Sequence, residues 1–151
     1  MLANGTRMRR ISDPVRRLPH YAPIFLLPRM SHPCLSCGAC CAAYRVSFHW
    51  SEAEAELGGQ VPVALTEVLD AHQRCMRGTW AKQPRCVALG GTIGESVACT
   101  IYEHRPSVCR ELSMAWEHGE PSPQCDKARI AHGLAPLTPE DVARALGRAI
   151  D

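Results

Sequence analysis

The chain has 151 residues, 46% of them hydrophobic and only 5% aromatic, which predicts one domain with a modest core. The formal net charge of +2 hides a split: residues 1–30 balance to +5, with six arginines against Asp13, while residues 31–151 balance to −3. The acidic part holds all nine cysteines, which argues against a nucleic-acid partner, whose footprint is a basic face.

Residues 1–30 are rich in arginine and proline and show no sustained period. They read as a basic, disordered extension, with translation from Met30 as the alternative start. Residues 31–151, which hold the cysteines, are expected from the spacing of their thiols to form a cysteine-cluster metal-binding domain. The apolar stretch 21–27 contains Pro23 and runs into Pro28-Arg29, so it has neither the length of a membrane span nor the flanks of a signal peptide. With an odd cysteine count, this favours a reducing, cytoplasmic setting in which thiols serve as ligands rather than disulfides.

In chain order, Ser36 is expected to cap a short helix through Cys40 to Tyr44, followed by a strand-like connection, 44–48. Ser51 and Glu54 have capping-box spacing, predicting two helical turns before Gly58-Gly59. Leu65, Val68, Leu69 and His72 recur at helical spacing and predict a helix over 64–76. Segments 85–89 and 97–102 read as a hairpin, with the turn in 90–94. On that reading Val97, Cys99 and Ile101 share a face, and Cys86 meets Cys99 if the register allows. Pro106 starts a helix over 105–116. Ser122-Pro123 starts another over 123–132, which Gly133 can end. Thr138-Pro139 opens a last amphipathic helix presenting Val142, Ala145, Leu146 and Ile150. The fold class is therefore α+β: a small metal-stapled domain, mostly short helices with a minimal β-hairpin.

Four of the nine cysteines fall within eight residues, Cys34, Cys37, Cys40 and Cys41. Thiols every third residue around a glycine-containing turn can converge on a soft metal or a cluster. Cys40 and Cys41 are adjacent and must aim apart. They read as the place where two centres, or two layers of one, meet. Cys86, Cys99, Cys109 and Cys125 complete eight candidate metal ligands, enough for two four-cysteine centres or one dinuclear site, with one centre plus structural thiols as a further alternative. Cys109 and Cys125 fall in expected first helical turns, where free N–H groups stabilise thiolates. Arg74, Arg85 and Arg110, each beside a cysteine, are expected to offset the negative charge of a tetrathiolate site. Cys75 stands apart as a possible accessory ligand. His32 and His104 lie near thiols but read as surface or capping residues.

The order CxxCGxCC, then Arg85-Cys86, then Cys99 with Ile101-Tyr102, then Arg105-Pro106 with Cys109-Arg110, then Cys125 with Ala128-Arg129, resembles the YkgJ-type CxxCxxCC family over residues 33–134. That resemblance implies a zinc- or iron-chelating domain. Related domains are associated with flagellin lysine methylation, for which this sequence offers no methyl-donor site.

For the cofactor, the CxxCxxC turn favours an iron–sulfur cluster of the [4Fe–4S] type; zinc is the alternative, though structural zinc more often uses two separated CxxC pairs. The expected function is metal chelation for electron transfer, metal handling or as an accessory domain to a protein partner, rather than a stand-alone enzyme. Two other readings stay open: a thiol–disulfide redox protein, and a component of a metal-dependent, methyl-transfer-like system. The first lacks the βαβ surroundings of a thioredoxin motif. The second shows no CxxxCxxC, HExxH or phosphate-cradling loop.

Overall fold

The computed structural model describes residues 32–148. The basic extension, the Met30 alternative and Ile150 lie outside these residues. The described chain is α+β, with four short helices and two small antiparallel sheets.

Helix α1 is a single turn, Cys34–Cys37. Ser36 sits inside it rather than capping it, its hydroxyl donating to the Pro33 carbonyl at 3.1 Å. Gly38 stops the helix by adopting φ 66, a conformation that costs a side-chain-bearing residue. A separate 3₁₀ turn, Cys40–Ala42, follows. The expected continuous helix to Tyr44 is thus split by one glycine. Gly38 is constrained a second way, because a Cβ there would lie 2.8 Å from Val97 Cγ1.

Strand β1, Ser47–His49, fulfils the strand expectation. The next segment forms two 3₁₀ turns, Trp50–Ala53 and Ala55–Leu57, rather than an α-helix. His49 provides the cap, accepting from the Ser51 N–H, and Glu52 is drawn away to residue 107.

The helix expected over 64–76 does not form. A 3₁₀ turn, Val63–Leu65, leads into β2, Thr66–Val68, and β3, Gln73–Met76. Asp70 turns the chain between them, its carboxylate accepting from the N–H groups of His72 (2.7 Å) and Gln73 (2.8 Å). Such local side-chain bonds compete with helix. β3 is the central strand, pairing antiparallel with both β1 and β2.

The second sheet is the expected hairpin in a shifted register. β4 is Leu89–Thr92 and β5 is Ser96–Cys99, with Leu89 opposite Cys99. Gly90 and Gly91 belong to the strand, and the turn falls at 93–95. Val97 and Ile101 are buried, as the shared face predicts.

Helix α2 spans only Ser107–Glu111, shorter than expected. Helix α3, Pro123–Ala131, begins at Ser122, whose hydroxyl accepts from the Cys125 N–H. It is followed by Gly133 at φ 72. Helix α4, Pro139–Leu146, carries a full capping box between Thr138 and Asp141.

The main core joins Val46, Phe48, Val61, Met76, Ala88 and Ile101, with Cys86, Cys99 and Cys109 packed at its edge. Three smaller clusters carry Cys125, Cys37 with Cys40, and Cys41. Each apolar nucleus thus borders thiols, and no one of them is large.

The double constraint at Gly38 predicts that Gly38→Ala lowers the unfolding free energy of the metal-loaded protein by about 1–3 kcal/mol. Denaturant titration of both proteins measures this; equal midpoints would show that the turn relaxes freely.

Candidate metal centres

The eight candidate thiols influence one another within two sets of four, with weaker influence across them, since Cys41 also acts on Cys34 and Cys40, and Cys37 on Cys41. Cys34 and Cys37 flank the single turn of α1, Cys40 opens the 3₁₀ turn, and Cys125 is the third residue of α3. Cys37 and Cys40 pack with Ala39, Ala128 and Tyr44. The Tyr44 hydroxyl donates to the Gln124 carbonyl at 2.7 Å, tying the cysteine-rich turn to the start of α3. Burial, then the nearby Cys125, Cys34 and Cys37, push the Cys40 thiol up to about 12. Cys34 is the solvent-facing member, yet burial of its thiol, with Cys37 and Cys125 beside it, also raises it to about 12. Burial raises Cys125 as well, opposed by a hydrogen bond from the Ala115 N–H and by Arg129. The turn carrying Ala115 is held by its neighbour Trp116, at φ 65. The Trp116 N–H donates to the Glu120 carbonyl at 2.7 Å, and its indole donates to Leu137 at 2.8 Å.

The second group is Cys41, Cys86, Cys99 and Cys109. The Cys86 N–H donates to the Cys41 carbonyl at 2.8 Å. Burial, then Cys86 and Cys99, raise Cys41 to about 11, with Arg105 pulling the other way. Burial, then Cys41, Cys86 and Cys99, raise Cys109 to about 12, again opposed by Arg105. Cys86 is raised by burial and partly relieved by the N–H groups of Ala88 and Leu89, which donate to its sulfur. Cys86 and Cys99 border the same apolar cluster, but the strand partner of Cys99 is Leu89, so they are not a cross-strand pair. Cys109 is positioned from a distance: the Glu52 carboxylate accepts from the Ser107 N–H (2.7 Å) and hydroxyl (2.9 Å), anchoring the start of α2.

Cys75 joins neither group. It is 1% exposed in the central strand, opposite Ser47 and Glu67, and behaves as a small core residue. His32 acts as a cap, its Nδ1 accepting from the Cys34 N–H at 3.3 Å while Nε2 lies 3.5 Å from Glu117. His104 is exposed.

The arginines adjacent to cysteines are not the ones that matter most. Arg85 donates to the Gly91 carbonyl at 2.9 Å, Arg110 to the Arg105 carbonyl, and Arg74 acts on the isolated Cys75. Arg105 and Arg129, four residues from Cys109 and Cys125, oppose the shifts within the two groups. One-turn helical spacing, i to i+4, is the signal that could have found Arg129; Arg105 precedes α2 on extended backbone, and no helical spacing announces it. Tyr44 and Glu52 act through long-range contacts that no local pattern announces.

Each group offers four sulfur donors, the donor set of a four-coordinate zinc site or an iron–sulfur cluster. Among the described residues, no group of three or more histidine, cysteine or carboxylate side chains is arranged to hold a metal ion. No helix among them is long and apolar enough to cross a membrane. All nine thiols are free.

A family model described as "CxxCxxCC: Putative zinc- or iron-chelating domain" matches residues 33–126. A protein of Escherichia coli O157:H7, "Uncharacterized protein YkgJ", is 51% identical over 106 residues, covering 70% of this chain and 96% of its own. "Putative ferredoxin" of Acinetobacter calcoaceticus is 51% identical over 104 residues, covering 69% of this chain and 77% of its own. No solved structure matches significantly.

The raised thiols are protonated at neutral pH, and a metal engages thiolates. Metal uptake by the reduced, metal-free protein at pH 7 is therefore expected to release roughly four protons per zinc ion bound. Retention should fall as the pH drops, because protons then compete for the sulfurs. Zinc titration in a weakly buffered solution reads the proton count; uptake without acidification would place the metal on other ligands.

Proposed function

The chain belongs to the CxxCxxCC family of zinc- or iron-chelating domains, and on that basis we propose that it carries two tetrathiolate centres and works in electron transfer. Cys34, Cys37, Cys40 and Cys125 hold one centre; Cys41, Cys86, Cys99 and Cys109 hold the other. What supports this reading is that Cys125, Cys34 and Cys37 act on Cys40 more strongly than its neighbour Cys41 does, while Cys86 and Cys99 act on Cys41 more strongly than Cys37 does. An iron–sulfur cluster is the favoured occupant. Support comes from the CxxCxxC turn, whose successive sulfurs can take different irons, and from a similar protein that bears the name ferredoxin. Hydrogen bonds from the N–H groups of Ala88, Leu89 and Ala115 to ligand sulfurs would tune the potential of such a centre. A reducing cytoplasm suits nine free thiols.

Zinc is the second reading. The turn Cys34–Gly38, closed by a left-handed glycine, brings a CxxC pair together as a single zinc ion also requires. Zinc would make the protein a metal carrier or a scaffold for a partner.

Anaerobic purification with iron, sulfide and zinc analysis and an absorption spectrum separates the two. Iron with matching sulfide and a broad visible band is expected; a colourless protein with stoichiometric zinc would replace the first reading with the second.

The pairing of ligands has its own test. Cys37→Ser and Cys109→Ser, one from each set, are each expected to lose about half of the bound metal and to unfold at lower denaturant, whereas Cys75→Ser keeps all its metal. Equal metal content in all three variants would refute the two-centre assignment.

A further inference from the structure

A groove of about 980 Å³ runs between the segments that carry both thiol groups. Ala42 and Ala43 follow Cys41 directly, Arg85 precedes Cys86, and Ala128 packs with Cys37 and Cys40. Five of the less exposed lining residues are apolar, Ala42, Ala43, Pro84, Ile93 and Ala128, and Tyr44 and His132 sit among them. The exposed ones include Arg45, Lys82, Arg85 and Lys127. No carboxylate lines the groove, although residues 31–151 have more acids than bases. Among the described residues, none of these four cations is in an ion pair. Arg45 is held in place over the Trp80 ring at 4.6 Å.

We propose that this groove is a docking site for an acidic segment of a partner protein, seated beside both centres. Charge complementarity identifies the occupant. A basic rim attracts carboxylates and repels other cations. The cations are spread around an apolar floor rather than gathered on one point. That distribution suits carboxylates strung along a peptide with apolar side chains between them. The inference rests on the groove's charge and shape, and it holds whichever metal the thiols carry.

The test is fluorescence anisotropy of a labelled oligoglutamate peptide with the metal-loaded full chain at low ionic strength. Oligoglutamine, oligothymidylate and inorganic phosphate serve as competitors. Lys82 and Lys127 make no side-chain hydrogen bond in the described residues, so reversing them leaves the fold intact; metal content checks this. Lys82→Glu/Lys127→Glu is expected to weaken peptide binding about tenfold or more, with Lys82→Gln/Lys127→Gln intermediate. Arg77→Glu/Arg144→Glu makes the same change in net charge away from the groove and should leave the affinity within about twofold. Added salt should weaken the peptide complex, and oligoglutamine should not compete. Three results would overturn the proposal: no binding by the parent chain, equal losses in both charge-reversed pairs, or displacement of the peptide by oligothymidylate or phosphate at lower concentration than by unlabelled oligoglutamate.

Discussion

The bond between Cys40 and Cys41 is the constraint on which the rest of the structure depends. Both residues lie in one 3₁₀ turn, where successive side chains diverge by about 120°. Their thiols therefore enter different surroundings. Cys40 looks to α1 and α3, and Cys41 to the hairpin and α2. Helices α1, α2 and α3 and the hairpin bring further sulfurs toward one side or the other of that bond.

Glycine 38 and two long-range hydrogen bonds do most of this positioning. Gly38 ends α1 early, so that Cys40 and Cys41 start a new turn, and it lets that turn press against Val97 in the hairpin. Tyr44 reaches the start of α3, and Glu52 anchors the start of α2. Both contacts sit within three residues of a thiol that the sequence places far from the opening cluster. The small helices contribute geometry more than electrostatics, since a five-residue α2 has too few aligned peptides for much of a dipole.

The ligand-bearing segments were legible because they are punctuated by residues with strong local consequences. Ser122-Pro123 and Thr138-Pro139 both open helices where expected, and Gly133 follows α3 as a left-handed stop. The segment 64–76 was not legible. Its apolar residues happen to fall at helical spacing, but Asp70 captures two backbone N–H groups and turns the chain into a hairpin. The error hid a whole three-stranded sheet. The hairpin at 89–99 was found in kind but not in register, because glycines 90 and 91 look like a turn and serve as strand. The arginines were misread for a related reason. Sequence adjacency to a cysteine says little about approach to its sulfur, since neighbouring residues point apart, whereas Arg129 returns one helical turn after Cys125 and Arg105 approaches from the extended segment before α2.

The energetics follow from how little apolar material the chain has. Four small nuclei share the work of one core, and each borders thiols whose proximity to one another is itself unfavourable when any of them ionises. Burial and mutual repulsion hold four of the thiols near 11 to 12. A bound cation reverses the sign of both effects, since it neutralises the thiolates and turns their crowding into coordination. The clusters that are too small to hold the fold alone are thus the ones a metal would join. Four thiolates around each proposed centre would collect negative charge on both sides of the Cys40–Cys41 bond, and Arg105 and Arg129, which already oppose the thiol shifts, would offset part of it from within the fold.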